Sequence, residues 1–255
     1  MITTTRDVES VYNLLRQFGP QFNVIHLSAA LTALHKLGQR LHPAAVEPSL
    51  ELLYRYLPRQ ITDCQPRQLS NIMWAASKLQ GRHAGLIPHI PKMMKVLLAH
   101  VDGGLDPQNV SNTLWAIAHM DQTIPQRDLQ MLTEVVVKVL DKANPQDVSN
   151  LLWSLGKMGR KVPKQQLEKL VGRLVEVLPQ ARPQHVSMVI WALGSMDEKV
   201  PEDQLKKLLD AMIDIMPLDR PQHVSNSLWG VARMGHKPSQ QQVERLVEGL
   251  VVVLG

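Results

Sequence analysis

Pro107-Gln108-Asn109-Val110-Ser111-Asn112-Thr113-Leu114-Trp115 decides the fold, because the chain repeats it. The same pattern runs from Pro145 to Trp153, from Pro183 to Trp191 and from Pro221 to Trp229, and a related one runs from Pro66 to Trp74. The tryptophans follow one another at 41, 38, 38 and 38 residues, and each has its proline eight positions ahead. A weaker copy, Val24-Ile25-His26-Leu27-Ser28-Ala29-Ala30-Leu31-Thr32, puts Thr32 in the tryptophan position, 42 residues before Trp74. Self-similarity at a fixed period of a few tens of residues is the mark of a stacked repeat architecture.

Each unit reads as two helices. The first opens at the proline, whose missing N–H costs nothing in the first helical turn. Asp106 and Asn144 stand before two of these prolines as good N-caps, and Arg182 and Arg220 as poorer ones. Gly159 and Gly235 are placed to end the helix with a residue at positive φ. A second proline, at Pro125, Pro163 and Pro201, opens the second helix. In that helix Leu167, Leu170, Val171, Leu174, Val175 and Leu178 follow the i, i+3, i+4, i+7 pattern of one apolar face. The first helix is apolar on two sides, with Val148, Leu152, Leu155 and Met158 beside Trp153, as a helix between two neighbours requires.

The expectation is an all-α chain: an α-solenoid of about six stacked two-helix units, period 38, forming a single helical-repeat domain over residues 1–255. Residues 1–21 form an N-terminal cap, with Val8, Val11, Tyr12, Leu15 and Phe18 on one face of a starting helix from Arg6. The units are 22–65, 66–106, 107–144, 145–182, 183–220 and 221–255. Asp63-Cys64-Gln65 reads as a lengthened connection and Gly81-Arg82-His83-Ala84-Gly85 as an insertion. The last helix ends in Val251-Val252-Val253-Leu254-Gly255 without a polar cap, which suggests further repeats or a protein partner there.

Composition narrows the function. Apolar residues make up 44% and charged residues 20%, enough for a packed core. The net charge of +5 suits a polyanionic partner without requiring one. A single cysteine, Cys64, excludes a disulfide framework within the chain and points to a reducing compartment. No apolar run reaches bilayer-spanning length, so no membrane partner is expected. The N-terminus lacks the apolar core of a signal peptide, and Asp7 and Glu9 argue against a transit peptide. A Ser-Asn pair recurring in unit after unit is scaffold chemistry, since catalysis needs one asymmetric constellation. His185 and His223 occupy equivalent positions a helix spacing apart, too far to share a zinc ion. No enzyme activity, metal or cofactor is expected.

The motif Pro-Gln-x-Val-Ser-Asn-x-Leu-Trp, a small residue after it and then Met-Gly, at a period of 38, resembles the octotricopeptide repeat family. Phe22-Asn23-Val24-Ile25-His26-Leu27-Ser28-Ala29-Ala30-Leu31 is similar to the start of such proteins from green algae and their relatives. The resemblance implies a helical solenoid that binds single-stranded organellar RNA, in chloroplast or mitochondrion, and governs transcript stability, processing or translation. Where many members carry a Pro-Pro-Pro-Glu-Trp-like signature, this chain reads Val162-Pro163-Lys164-Gln165-Gln166 or Val200-Pro201-Glu202-Asp203-Gln204. Members often end in a nuclease-like RAP domain; no such segment is read here, and no nuclease role is expected.

A modular reader of RNA needs a fixed frame and a few variable polar positions per unit. Two positions after the proline stand Gln68, Asn109, Asp147, His185 and His223, expected to read base edges. Four after the tryptophan stand Lys78, His119, Lys157, Ser195 and Arg233, expected to meet bases or phosphates. Three before the tryptophan stand Asn71, Asn112, Asn150, Met188 and Asn226, where the amides either touch RNA or link neighbouring units by hydrogen bonds. Small residues just after the tryptophan (Ala75, Ala116, Ser154, Ala192 and Gly230) would let a ligand approach closely. Trp74, Trp115, Trp153, Trp191 and Trp229 are expected in the packed core. All these polar positions equally suit the solvated surface of a protein–protein scaffold, which is the alternative function.

Overall fold

The computed structural model describes residues 7–38, 43–79, 84–215 and 221–254, and among these there is no strand. α1 (Val8–Phe18) precedes six helix pairs. These are α2 (Val24–Gly38) with α3 (Glu47–Gln60), α4 (Pro66–Ser77) with α5 (Ile90–Leu98), and α6 (Pro107–His119) with α7 (Gln126–Lys138). Then come α8 (Pro145–Lys157) with α9 (Lys164–Glu176), α10 (Pro183–Met196) with α11 (Glu202–Ile215), and α12 (Pro221–Arg233) with α13 (Gln240–Leu254). The chain is a helical-repeat protein of the α-solenoid class. Its helices gather into two compact units, Met1–Leu105 with His119–Gln122, and Asp106–Ala118 with Thr123–Gly255.

The punctuation works as the residues suggest. Pro66, Pro107, Pro145, Pro183 and Pro221 are the first residues of α4, α6, α8, α10 and α12. Asn144 caps α8, its side-chain oxygen accepting from the N–H of Gln146 at 2.9 Å and of Asp147 at 3.1 Å. Asp106 accepts from the Asn109 N–H at 2.6 Å. Pro125 and Pro163 stand one residue before α7 and α9, at the N-cap. Gly159 and Gly235 close α8 and α12 at φ 63° and 65°. There Arg160 N–H donates to Leu155 O at 2.9 Å and Gly159 N–H to Gly156 O at 3.2 Å, the paired bonds of a Schellman stop. Asp197 does the same work for α10 at φ 52°, with Glu198 N–H on Leu193 O at 3.0 Å.

In the first unit α1 is capped by Asp7, which accepts from Ser10 N–H at 2.7 Å, and it buries Val8, Val11 and Leu15 against α2 and α3. Of the expected apolar face, Tyr12 is half-buried and Phe18 is exposed. α2 stacks on α4, with Leu27, Leu31 and Leu34 buried in the interior. Cys64 is buried, and burial pushes its thiol up to about 12, which leaves it inert as a nucleophile. Arg6, Gln80–His83 and Arg220 lie outside the described residues, so the proposed start of the cap, most of the insertion and one N-cap are not described.

In the second unit the first helices form one layer, α8 on α10 and α10 on α12, and the second helices another, α7 on α9, α9 on α11 and α11 on α13. Val148, Leu151, Leu152 and Leu155 of α8 are fully buried, as are Leu167, Leu170, Val171 and Leu174 of α9, apart from 1% of Leu167. Each such side chain contributes about 1.5–3 kcal/mol. Arg173 on α9 ties consecutive repeats, donating to the carbonyls of Ala143 at 3.0 Å and Asp141 at 2.6 Å.

Candidate nucleic-acid interface

The tryptophans do not lie inside the core, contrary to expectation. Trp74, Trp115, Trp153 and Trp191 are half-buried, and Trp229 is 43% exposed. In the second unit α8, α10 and α12 pack side by side and each also meets its own second helix. The indole takes a remaining, partly exposed face. In the second unit the rings form a continuous row, with centroids 6.0 Å apart from Trp115 to Trp153, 6.2 Å to Trp191 and 6.0 Å to Trp229. Interplanar angles of 25–33° leave each ring tilted on the next. Such pairs contribute about 0.5–1.5 kcal/mol each beyond the area they bury. In the first unit Trp74 meets the edge of His35 at 5.7 Å.

One helical turn beyond each indole lies the expected cationic position, and it faces the same way. Arg233 sits 5.9 Å from the Trp229 ring centroid, and Lys78 sits 5.6 Å from that of Trp74. Burial pulls Lys78 below its ordinary value. His119 and Lys157 are exposed at the same position of α6 and α8. Ser195 departs from the series: its hydroxyl donates to Gly156 O across the α8–α10 seam at 3.1 Å.

The asparagine position splits. Asn150, 7% exposed, donates from Nδ2 to Asn112 Oδ1 at 3.4 Å, a rung between α8 and α6. Asn71 is exposed and Asn226 half-buried. Met188 takes the place in α10, where its sulfur accepts from Gln184 Nε2 at 3.8 Å.

The position two after the proline has another role from the one expected. It is the third helical residue, and in three of the repeats its side chain turns back to accept the N-cap N–H. Gln68 Oε1 accepts from Gln65 N–H at 2.8 Å, Asp147 Oδ2 from Asn144 N–H at 3.1 Å, and His185 Nδ1 from Arg182 N–H at 3.1 Å. The weaker first copy does the same, with His26 Nδ1 accepting from Asn23 N–H at 3.3 Å. In the Asn144–Asp147 and Asn23–His26 pairs the N-cap side chain also accepts in return, the reciprocal pattern of a capping box. Asn109 and Asp147 are each 5% exposed, too deep to read a base edge, while His223 is half-buried. Asp147 also accepts from Ser111 Oγ of the preceding repeat at 3.3 Å. Burial raises its carboxyl above the ordinary value, aided by the Asp106 charge and opposed by the bonds from Asn144 and Ser111. Burial and the nearby Arg182 hold His185 below the ordinary histidine value.

The small residues serve the helices rather than a ligand. Ala75, Ala116, Ser154, Ala192 and Gly230 are all buried. A Cβ on Gly156 would lie 3.1 Å from Ala192 Cα, and one on Gly194 would lie 2.7 Å from Gly230 Cα. A Cβ on Gly230 would run into the Ile190 carbonyl. The row therefore sets how closely the first helices approach.

One row was not singled out from the sequence. Gln108, Gln146, Gln184 and Gln222, seven positions before each tryptophan, are all exposed. Two helical turns before the indole, they lie on its side of the helix. Their recurrence in every Pro-Gln pair was the available signal.

Among the described residues no group of three or more His, Cys, Asp or Glu could hold a metal ion, and no helix is long and apolar enough to cross a membrane. No protein-family model matches the chain, and no curated protein matches it.

Proposed function

We propose that the protein binds single-stranded RNA along the tryptophan-bearing face of its first helices, with no catalytic step of its own. The observation that carries this is the row of half-exposed indoles from Trp115 to Trp229 at 6.0–6.2 Å, with Lys157 and Arg233 on the same side of their helices. Aromatic faces accept unstacked bases whatever their identity, worth about 1–3 kcal/mol per base, and cations beside them meet phosphate. The resemblance to octotricopeptide repeat proteins adds the setting: an organellar transcript in chloroplast or mitochondrion, shielded from nucleases or held unpaired for translation or processing.

A second reading draws on the neutral amides of the same face. Gln108, Gln146 and Gln184 stand where a phosphate track would favour lysine or arginine. An extended peptide repeats every two residues at about 6.7 Å, close to the ring spacing. A protein partner with an exposed extended segment would suit that arrangement.

Titration of the chain with single-stranded RNA at low salt, followed by tryptophan fluorescence, tests the first reading. Binding is expected to quench the indoles, with log K falling by roughly 0.7 per neutralised phosphate against log salt. Lys157→Ala is expected to lower that slope without unfolding the chain. Absence of quenching by RNA, with quenching by extended peptides, would favour the second reading.

A further inference from the structure

In the second unit the open face of the first helices is nearly uniform from repeat to repeat. The varying position two after the proline is withdrawn from it: Asn109 and Asp147 are each 5% exposed, and His185 turns back to its N-cap. What stays open is the glutamine row. Gln108, Gln146, Gln184 and Gln222 are exposed, each seven residues ahead of its tryptophan. Seven residues are nearly two full helical turns, so each glutamine lies within about 20° of its indole around the helix and about 10 Å from it along the axis. Among the described residues the side-chain amides of Gln108, Gln146 and Gln222 make no hydrogen bond, and that of Gln184 reaches only the Met188 sulfur at 3.8 Å. Successive repeats therefore offer the same two groups in the same register, one indole and one donor–acceptor amide.

We propose, resting on the reading of this face as an RNA track, that it selects a run of one base, adenine, over mixed sequence. Identical readers in consecutive repeats favour identical bases. The ring spacing of 6.0–6.2 Å exceeds the rise of about 3.4 Å per nucleotide in a stacked strand, so a strand that follows the row is drawn open. Both hydrogen-bonding edges of each unstacked base are then open to protein, and its face to an aromatic ring. A glutamine amide presents a donor and an acceptor side by side. Adenine matches that pair through N6–H and N7, and again through N6–H and N1 on its pairing edge. It also lays a bicyclic face on the indole. The N7–O6 edge of guanine holds two acceptors and leaves the amide oxygen unmatched. Each pyrimidine has one matching edge and a smaller ring to stack. In the first unit the glutamine position holds Ile25 and Arg67, so the uniform row belongs to the second unit.

Fluorescence anisotropy of the full chain with labelled oligo(A), oligo(U) and oligo(C) of equal length, at one low salt concentration, tests this. Oligo(A) is expected to bind at least about tenfold more tightly than either pyrimidine oligomer. The double variant Gln146→Ala, Gln184→Ala changes two solvent-exposed side chains. It is expected to keep the helical circular dichroism and the pyrimidine affinities and to lose most of the oligo(A) advantage. Equal binding of the three oligomers, a pyrimidine preference, or an oligo(A) preference that survives the double variant would overturn the adenine selectivity and leave the RNA reading standing. No binding of any oligomer would overturn both.

Discussion

At the scale of the residue, the clearest lesson is why one position varies. Gln68, Asp147 and His185 share no shape and no charge, yet all accept the same N-cap N–H. That N–H asks only for an sp² acceptor at the right reach, so chemically different side chains are interchangeable there. From the sequence such variation is indistinguishable from a base-reading code. Asp147 is the charged member of the set, and the structure makes its charge costly. Its folded carboxyl titrates above the ordinary value because it is buried. Its contribution to stability is therefore fully present below the unfolded carboxyl's pKa and is lost as pH rises through the raised folded value. Asp147→Asn, which installs the residue found at Asn109, is expected to melt higher than the parent near neutral pH. The two should converge well below the carboxylate range, as thermal melts across pH would show. The same exchange should leave RNA preference as it was, because the side chain lies beneath the surface.

At the scale of the element, the helix boundaries were open to reading and the packing roles less so. Proline at the first helical residue and glycine at the stop act through the backbone alone, so Pro145 and Gly159 mark the ends of α8 wherever the helix sits. Asp121 and Asp197 show the limit: each adopts a positive φ in the place where the repeats of α8 and α12 use glycine. The tryptophans misled because a large apolar side chain implies burial, while a first helix flanked on both sides has one face left over. Small residues mark where the first helices approach most closely. Gly230 is the tightest of these, and Gly230→Ala is expected to destabilise the fold by about 1–3 kcal/mol through the forced separation of α10 and α12. Equilibrium urea unfolding would register it; an unchanged midpoint would mean the helices separate at no cost.

At the scale of the whole molecule, repetition turns single side chains into rows. The period of 38 was legible because each unit repeats the same backbone punctuation. Its division into two compact units was not, because no motif in the sequence marks it. Repetition also gives the exposed face its weight in the proposal: one half-exposed indole is ordinary, but four in a row at about one spacing would suit a polymer as a track. That this track holds RNA is the central claim. Ultraviolet crosslinking of the chain to single-stranded RNA, with the modified residues located by mass spectrometry, tests it most directly. The account predicts adducts on the tryptophan face of the first helices, at Trp153, Trp191, Lys157 and Arg233. Adducts confined to the second helices, or none at low salt, would contradict it.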